Sequence, residues 1–258
     1  MKYSKAITRL PGRNFSAGLT IAGGGSPPDI GRALAQHAAY RAALSACGLD
    51  VTVMDADEDH PDGTFVEDTF LIAEGIAVAT RPGAKTREGE VAAVAAALRN
   101  FVAKLEHIRA PGTLDGGDVC QAGRHFLIGI SARTNESGAA QLAAILARHG
   151  FTASTVDIRG NPALLHLKSG IAYLGEDRFV VAPGFPAVPE IARFEKIAVM
   201  AGEEYAANCV RINDEVLIAS GFPKLAASLR GLGYRTRAVG MSEFAKMDGG
   251  LSCLSLRF

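Results

Sequence analysis

Four segments of the chain join two short apolar runs through a tight polar turn, a pattern typical of β-hairpins. They begin at Asp68, Asp118, Gly170 and Asn208 and read DTFLIAEGIAVAT, DVCQAGRHFLIGI, GIAYLGEDRFVVA and NCVRINDEVLIAS. The C-terminal run CLSLRF also resembles a strand, and the N-terminal YSKAITRL is left as its natural partner. The pattern therefore predicts four hairpins and a further strand pair made from the two ends of the chain.

Helical periodicity fills the stretches between the hairpins. Apolar residues recur at helical spacing over residues 28–47, 88–105, 136–149 and 223–232. Three of these predicted helices end in a glycine (Gly48, Gly150 and Gly233), and a strand-like run follows each of them. Glycine just past a helix supplies the left-handed residue that closes it. Residues 189–199, which follow the third hairpin, are the least regular segment of this kind.

A unit of helix, strand and hairpin thus repeats about five times in 258 residues. A doubly wound parallel sheet needs strands and helices that alternate singly, and the hairpins break that alternation. A ring of similar units around an axis accommodates them better. Because proline and glycine are scattered at turns and no linker is visible, we expect residues 1–258 to form a single propeller-like α/β domain.

Composition contributes mainly exclusions. The chain has 27 Lys and Arg against 27 Asp and Glu, hence a formal net charge of zero, and a pI near 7.0. It lacks the basic excess of a protein that binds nucleic acid or anionic membranes. Its four cysteines include no CxxC pair and do not form a disulfide framework, and no apolar run is long enough to span a membrane. We expect a cytoplasmic protein with neither nucleic-acid nor membrane partners.

Reactive side chains recur where the first strand of each hairpin begins. In a ring with fivefold pseudosymmetry, equivalent positions lie near one axis, so groups that are distant in sequence converge. A cysteine, a histidine and several carboxylates in one place could form a nucleophile, a base and a group that orients the base. The fourth position, YAANC, brings no acid or imidazole, and we expect it to be a wall. The reactive residues are Asp62, Glu67, Asp68, Asp115, Asp118, His166, Lys168, Asp248 and Cys253.

Each of these residues also has a simpler structural interpretation. A free cysteine such as Cys253 is more often a small buried hydrophobic group than a nucleophile. A carboxylate before a strand, such as Asp118, usually caps or closes a turn. We assign the other three cysteines to packing and the other five histidines to structural roles. His166 differs from them because it lies in an apolar LLHL run directly before a hairpin.

Six motifs together resemble the dimethylarginine dimethylaminohydrolase family of the guanidine-modifying pentein superfamily. They are PDGTFVEDT, TRPGAKTR, LDGGD, SARTN, HLKSG and DGGLSC, in the family's order and at similar spacing. The resemblance covers essentially the whole chain. It implies a five-bladed α/β propeller with pseudo-fivefold repeats, which hydrolyses Nω-methylated L-arginines to L-citrulline and an alkylamine without a cofactor or a metal.

The resemblance also implies roles for individual residues. Cys253 matches the nucleophile, His166 matches the general acid and base, and Asp115 matches the carboxylate that orients the histidine. The implied substrate-binding residues are Glu67 and Asp68 for the guanidinium, Asp62 and the backbone carbonyl of Leu19 for the α-amino group, Arg87 and Arg133 at the outer edge of the pocket for the α-carboxylate, and Met247 as an apolar contact.

Electrostatics suggest how these groups ionise. Carboxylates near Cys253 disfavour a thiolate, so we expect that its pKa is not strongly lowered in the free enzyme. His166 is expected to titrate near neutral pH. A bound guanidinium cation would offset the carboxylates and help to activate the cysteine.

Three alternatives remain open at this stage. An arginine deiminase would use the same groups on unmethylated arginine, although such enzymes are usually longer. A non-catalytic pentein binding module would share the propeller but lack the set of cysteine, histidine and acid. A zinc site at Cys253, His166 and the nearby acids fits the ligand chemistry, but no closely spaced ligand pair supports it. An outer rim of apolar helices is compatible with a homodimer.

Overall fold

The computed structural model describes residues 2–21 and 25–258. Its elements follow the repeat of helix, strand and hairpin. The strands are β1 (Lys5–Arg9), β2 (Asp50–Met54), β3 (Phe70–Ala73), β4 (Ile76–Ala79), β5 (Lys104–His107), β6 (Val119–Ala122), β7 (His125–Ile130), β8 (Thr152–Asp157), β9 (Ile171–Gly175), β10 (Arg178–Val181), β11 (Glu195–Ala198), β12 (Val210–Ile212), β13 (Glu215–Ala219), β14 (Arg235–Val239) and β15 (Leu256–Arg257). The helices are α1 (Ile30–Ala46), α2 (Glu90–Leu98), α3 (Glu136–Arg148), α4 (Pro223–Gly231) and α5 (Ser242–Ala245).

These strands form five three-stranded sheets, the blades of a five-bladed α/β propeller. In each blade an antiparallel pair is extended by a parallel strand, as β3, β4 and β5 illustrate. Four blades use the predicted hairpins. The fifth pairs β15 with β1 and then β1 with β2, so the two ends of the chain close the ring as the sequence pattern predicts.

Helix α2 is shorter than predicted. It ends at Leu98, and residues 104–107 form β5, which pairs in parallel with β4. The helical periodicity continued to residue 105 because alanine and valine do not distinguish the two structures, and no glycine marks the end of this helix. Gly48, Gly150 and Gly233 do have positive φ values, which confirms the predicted stops at three of the other helices.

A short 3₁₀ turn precedes the first strand of every hairpin-like pair. We call these five segments the axial turns: Val66–Thr69, Gly116–Asp118, Leu167–Ser169, Glu204–Ala207 and Ser252–Leu254. Contacts join the fifth turn to the first, the first to the second, the second to the third and the third to the fourth. The equivalent positions of the repeat therefore surround one axis, and most of the candidate catalytic residues lie in these turns or beside them.

Apolar packing between blades and helices holds the turns in place. Five buried clusters fill the spaces between neighbouring blades, and one of them packs Tyr40 of α1 against Phe244 of α5 and Leu254 of the fifth axial turn. Burying aromatic and aliphatic side chains of this size is the main stabilising contribution to such a fold. None of the described helices has both the length and the hydropathy needed to cross a bilayer.

Candidate active site

A cavity with two lobes lies on the axis, and Cys253 and His166 line both lobes. The narrow lobe has a volume of about 30 Å³ and the wide lobe about 400 Å³. Besides the shared residues, the narrow lobe is lined by Leu19, Asp62, Phe65, Asp68, Arg87, Arg133, Met247 and Gly249. The wide lobe is lined largely by apolar groups, including Pro162, Ala163, Leu164, Ala182, Pro183 and Tyr205. A cysteine and a histidine thus meet where a charged lobe joins an apolar one.

The imidazole of His166 is held by a buried carboxylate. Nε2 of His166 lies 3.0 Å from Oδ2 of Asp115, whose other oxygen accepts a hydrogen bond from the Gly83 N–H at 2.9 Å. His166 precedes the third axial turn, and Asp115 precedes the second. The neighbouring Gly117 leaves room for this approach, because a Cβ there would lie only 2.8 Å from the imidazole ring.

Carboxylates also decide the charge of His166. Burial on its own would lower the pKa of His166, but the carboxylates of Asp68, Asp118 and Asp115 outweigh burial and raise this pKa to about 9. The same interaction with His166 lowers the pKa of Asp115 in spite of its burial. At neutral pH the pair is therefore an imidazolium and a carboxylate. The raised pKa of His166 differs from the near-neutral value expected from sequence, because the charges of three carboxylates act together on one buried ring.

Asp118 does more than close its own turn. Its Oδ2 accepts hydrogen bonds from Ser131 Oγ at 2.6 Å and Thr134 Oγ1 at 2.7 Å, and its Oδ1 accepts one from the Leu167 N–H at 2.9 Å. Leu167 follows His166 directly, so Asp118 anchors the backbone that carries the imidazole.

Cys253 lies in the fifth axial turn with its sulfur at the cavity. Removal from bulk water, followed by the charges of Glu67 and Asp68, raises the pKa of the Cys253 thiol to about 12. A hydrogen bond from the Gly250 N–H to Sγ at 3.4 Å opposes this shift. The free site therefore holds a neutral thiol, in the direction expected from the surrounding carboxylates.

Asp68 and Arg87 form a buried ion pair on the wall of the narrow lobe. Nη1 of Arg87 lies 2.6 Å from Oδ2 of Asp68, and its Nε and Nη2 donate to the two carboxylate oxygens of Glu90 at 2.9 and 2.7 Å. The other oxygen of Asp68 accepts a hydrogen bond from the Gly117 N–H at 2.8 Å. Arg87 is 4% exposed. It is thus a buried, largely paired cation rather than a group at the outer edge.

Glu67 faces away from the narrow lobe. Its carboxylate lies 2.6 Å from Lys168 Nζ and 3.0 Å from Arg257 Nη2, and it accepts a hydrogen bond from Ser252 Oγ at 2.7 Å. Glu67 and these partners line a second cavity of about 130 Å³, and Lys168 and Ser252 also line the wide lobe. Glu67 still acts on Cys253 through its charge, but its oxygens already have three protein partners.

The remaining candidates lie together in the narrow lobe. The Leu19 N–H donates to both oxygens of Asp62 at 3.1 and 3.2 Å. Met247 is buried, and its Cε would lie 3.2 Å from a Cβ at Gly18. Among the described residues, the half-buried guanidinium of Arg133 has no hydrogen-bond partner. A cationic group with free donors and a carboxylate, Asp62, therefore face the same small space.

One cluster has ligand atoms close enough for a metal ion. The atoms of Asp68, Asp115 and His166 lie within 4.8 Å of one another. Each residue already has a partner, however: Arg87 and Gly117 for Asp68, Gly83 and His166 for Asp115. The chemistry of this set is that of an ion-pair network, and Cys253 is not one of its members.

Comparisons with known proteins identify the family of this chain. The profile of the arginine deiminase family matches residues 65–221. The N(G),N(G)-dimethylarginine dimethylaminohydrolase of Pseudomonas aeruginosa is 43% identical over 257 residues, covering 99% of this chain and 100% of that protein. The chain belongs to the dimethylarginine dimethylaminohydrolase family. The protein of the same name from Streptomyces coelicolor is 34% identical, covering 100% of this chain and 98% of that one.

Solved structures support the same assignment. A cysteine-to-serine variant of the Pseudomonas aeruginosa enzyme in complex with citrulline superimposes with a TM-score of 0.95 and 42% identity, over 100% of both chains. The N-terminal domain of ArgZ, an arginine dihydrolase from cyanobacteria, has a TM-score of 0.88 at 19% identity, over 98% of this chain and 97% of that one. The second match shows a common fold, and the family belongs to the pentein superfamily.

Several residues of the site were not found from sequence. Thr134 joins Asp115 to Asp118, Glu90 holds Arg87, and Arg257 pairs with Glu67. The fourth axial turn, expected to be a wall, contributes Tyr205, which lines the wide lobe and donates to the Gly249 carbonyl at 2.7 Å. Thr134 stands in the SARTN motif and Tyr205 in YAANC, but only the fold shows what these residues contact.

Proposed function

We propose that this protein hydrolyses Nω-methylated L-arginine, both the asymmetric dimethyl and the monomethyl forms, to L-citrulline and dimethylamine or methylamine. The observation that carries the proposal is the meeting of the Cys253 thiol and the Asp115-bound imidazole of His166 in one cavity. Full-length similarity to dimethylarginine dimethylaminohydrolases of known name supports the choice of substrate.

The narrow lobe is suited to the amino-acid end of the substrate. Asp62 and the Leu19 carbonyl would hold the α-amino group. The guanidinium of Arg133, which has no hydrogen-bond partner in the described part of the chain, would bind the α-carboxylate through charge-assisted hydrogen bonds. Arg87 lines the same lobe, and because its donors are largely occupied we assign it chiefly to placing Asp68. Met247 would pack against the aliphatic part of the substrate.

The guanidinium would lie between Asp68 and Cys253. A carboxylate offers about four lone-pair sites, so Asp68 can accept a further hydrogen bond beside those from Arg87 and Gly117. Glu67 would contribute charge without direct contact. The position of the planar group then presents its central carbon to the sulfur.

Catalysis would proceed through a covalent intermediate on Cys253. The bound cation offsets the charges of Glu67 and Asp68 and favours the thiolate, whose proton leaves to solvent. The thiolate attacks the central carbon, and the imidazolium of His166 gives its proton to the departing dimethylamine. The neutral imidazole then takes a proton from water, and the resulting hydroxide attacks the thioether carbon. Collapse breaks the carbon–sulfur bond and restores the Cys253 thiolate, and the proton of the new hydroxyl group passes to solvent as citrulline is released. Each proton transfer of this kind typically contributes about 10²- to 10⁴-fold.

A substrate panel tests the proposal. Purified protein is incubated with asymmetric dimethylarginine, monomethylarginine, arginine and agmatine, and citrulline or carbamoylputrescine is measured, with Cys253→Ser as the control. We expect turnover of the two methylated arginines only and none by the variant. Faster turnover of arginine would identify an arginine deiminase, and no turnover by folded wild type would remove the proposal.

Two further expectations concern the protein in the cell. The four cysteines are free thiols, which supports a cytoplasmic location because reducing compartments keep thiols reduced. Association into a homodimer stays a prediction, which sedimentation velocity of the purified chain tests.

A further inference from the structure

Asn208 directly follows the fourth axial turn, and the catalytic scheme above does not use it. Its side chain makes three hydrogen bonds although the residue is only 8% exposed. Nδ2 donates to the Lys168 carbonyl at 2.9 Å and to Ser252 Oγ at 3.1 Å, and Oδ1 accepts from the Ser252 N–H at 2.9 Å. Both N–H donors of the amide are therefore occupied.

The partners of Asn208 belong to the two turns that carry the reacting groups. Lys168 lies in the third axial turn, which begins directly after His166, and Ser252 directly precedes Cys253 in the fifth. One side-chain amide thus connects the backbone of the acid and base to the backbone of the nucleophile. The amide also connects the end of the fourth axial turn to the fifth through its hydrogen bonds with Ser252.

Asn208 also packs against Gly250, whose N–H donates to the sulfur. A Cβ built at Gly250 would lie 2.5 Å from Cγ of Asn208, so the amide rests directly on the Gly250 Cα. The Gly250 N–H donates to Sγ of Cys253 at 3.4 Å. Displacing the amide would free this backbone as well as the Ser252 N–H.

We propose that Asn208 is a positioning residue that fixes Cys253 relative to His166 and keeps the Gly250 N–H directed at the sulfur. The proposal rests on the proposed function, in which these two side chains react with one substrate. Misplacing reacting groups by about 1 Å can cost on the order of 10²-fold in rate. Loss of the amide should therefore lower kcat far more than it raises KM.

The test variant is Asn208→Asp, and the same hairpin supplies a matched control. The carboxylate keeps an acceptor for Ser252 but loses both donors and adds a charge. Asn213, in the turn between β12 and β13, makes an equivalent set of bonds: it accepts from the Tyr3 N–H at 2.8 Å and donates to the carbonyls of Tyr3 and Cys47 at 3.0 and 2.9 Å. Its φ is 52°, which aspartate tolerates well.

We expect Asn208→Asp to lose on the order of 10²-fold in kcat for dimethylarginine while KM changes little. Asn213→Asp should keep the wild-type kcat, although its melting temperature should be similar to that of Asn208→Asp. Asn208→Ala, which removes the amide without adding charge, should show the same loss of kcat and covers the case in which the aspartate variant does not fold. Wild-type kcat in a folded Asn208 variant, or an equal loss in Asn213→Asp, would overturn the proposal.

A second readout does not depend on turnover. The rate of Cys253 alkylation by iodoacetamide is measured against pH by peptide mass spectrometry. The midpoint pH of this profile should be higher in both Asn208 variants than in wild type and unchanged in Asn213→Asp. If wild type turns over no methylarginine, the proposed function fails while alkylation still reports on Asn208. An unmoved midpoint, with wild type active, defeats only the positioning role.

Discussion

The narrow and wide lobes of the cavity share Cys253 and His166 but differ in volume and chemistry. The narrow lobe, of about 30 Å³, places Asp62, Asp68 and Arg133 around a small space, whereas the wide lobe, of about 400 Å³, is mostly apolar. The charged groups of a zwitterionic amino acid are bound by oppositely charged side chains that lie close by and in fixed positions. A departing alkylamine needs only room and a proton. We therefore expect recognition to be concentrated on one side of the reacting groups and release of the amine on the other.

Substitutions at the junction of the two lobes, where His166 and Cys253 lie, should have the largest effect on activity. Asp115→Asn removes the charge that stabilises the imidazolium of His166, and we expect kcat to fall on the order of 10²- to 10⁴-fold, within the range of a general acid and base step. Steady-state kinetics measure the loss. Asp157→Asn, at an exposed carboxylate, is the control, and an equal loss there would remove the special role of the junction.

Substitutions in the narrow lobe should have the next largest effect on activity. Arg133→Met removes the free guanidinium, and we expect KM for dimethylarginine to rise about 10- to 100-fold with kcat nearly unchanged, since a hydrogen bond to a charged group contributes about 1.5–3 kcal/mol. The same variant should not affect any residual turnover of Nω,Nω-dimethylagmatine, which lacks the carboxylate. A fall in kcat at constant KM would place Arg133 outside substrate binding.

The pH dependence of kcat/KM tests the charge of His166 at the junction of the two lobes. Because the pKa of His166 is raised to about 9, its protonated form is present at neutral pH, and kcat/KM should fall as pH rises through about 9. The contribution of this ion pair to stability has the same sign: it is fully present below the unfolded value of 6.5 and is lost as pH rises through about 9. Asp115→Asn should move the fall to lower pH. A fall centred near 6.5 in wild type would contradict the raised pKa.

The wide lobe should give the smallest effects. Extending the substrate from Nω-methyl to Nω-propyl arginine should change kcat/KM by less than about tenfold, as expected for added methylenes in an apolar space. Ala163→Leu, which fills part of the lobe, should lower turnover of the propyl compound while dimethylarginine is affected less. Ala187→Leu, at an exposed alanine outside the lining, serves as the control. Equal sensitivity of both substrates to Ala163→Leu would show that the lobe does not hold the N-substituent.

Local sequence patterns predicted the blades well because each carries its own signals. Tight turns separated the hairpin strands, and glycines such as Gly150 marked the end of a helix and the start of the outer strand. Strand β5 was not predicted because no such signal marks the end of α2. Its strand character comes from pairing with β4. A long-range backbone partner of this kind leaves little trace in a single sequence.

The residues of the site could be predicted from the sequence, but the hydrogen bonds and ion pairs between them could not. The resemblance brought Cys253, His166 and Asp115 forward, and the structure places them together. It could not show that Glu67 already binds Lys168 and Arg257, or that Asn208 connects two turns. Those contacts depend on how five separated turns meet on one axis, and hydrogen bonds of asparagine or arginine have no sequence spacing of their own.

The covalent intermediate is the central claim, and trapping it is the most direct test. A substrate whose leaving group needs no proton, S-methyl-L-thiocitrulline, is incubated with His166→Gly, and the mass of the Cys253 peptide is measured. We predict a mass increase equal to the compound less methanethiol, confined to that peptide and stable because no imidazole activates water. Unmodified Cys253 in this variant, together with citrulline production by Cys253→Ser, would contradict the account.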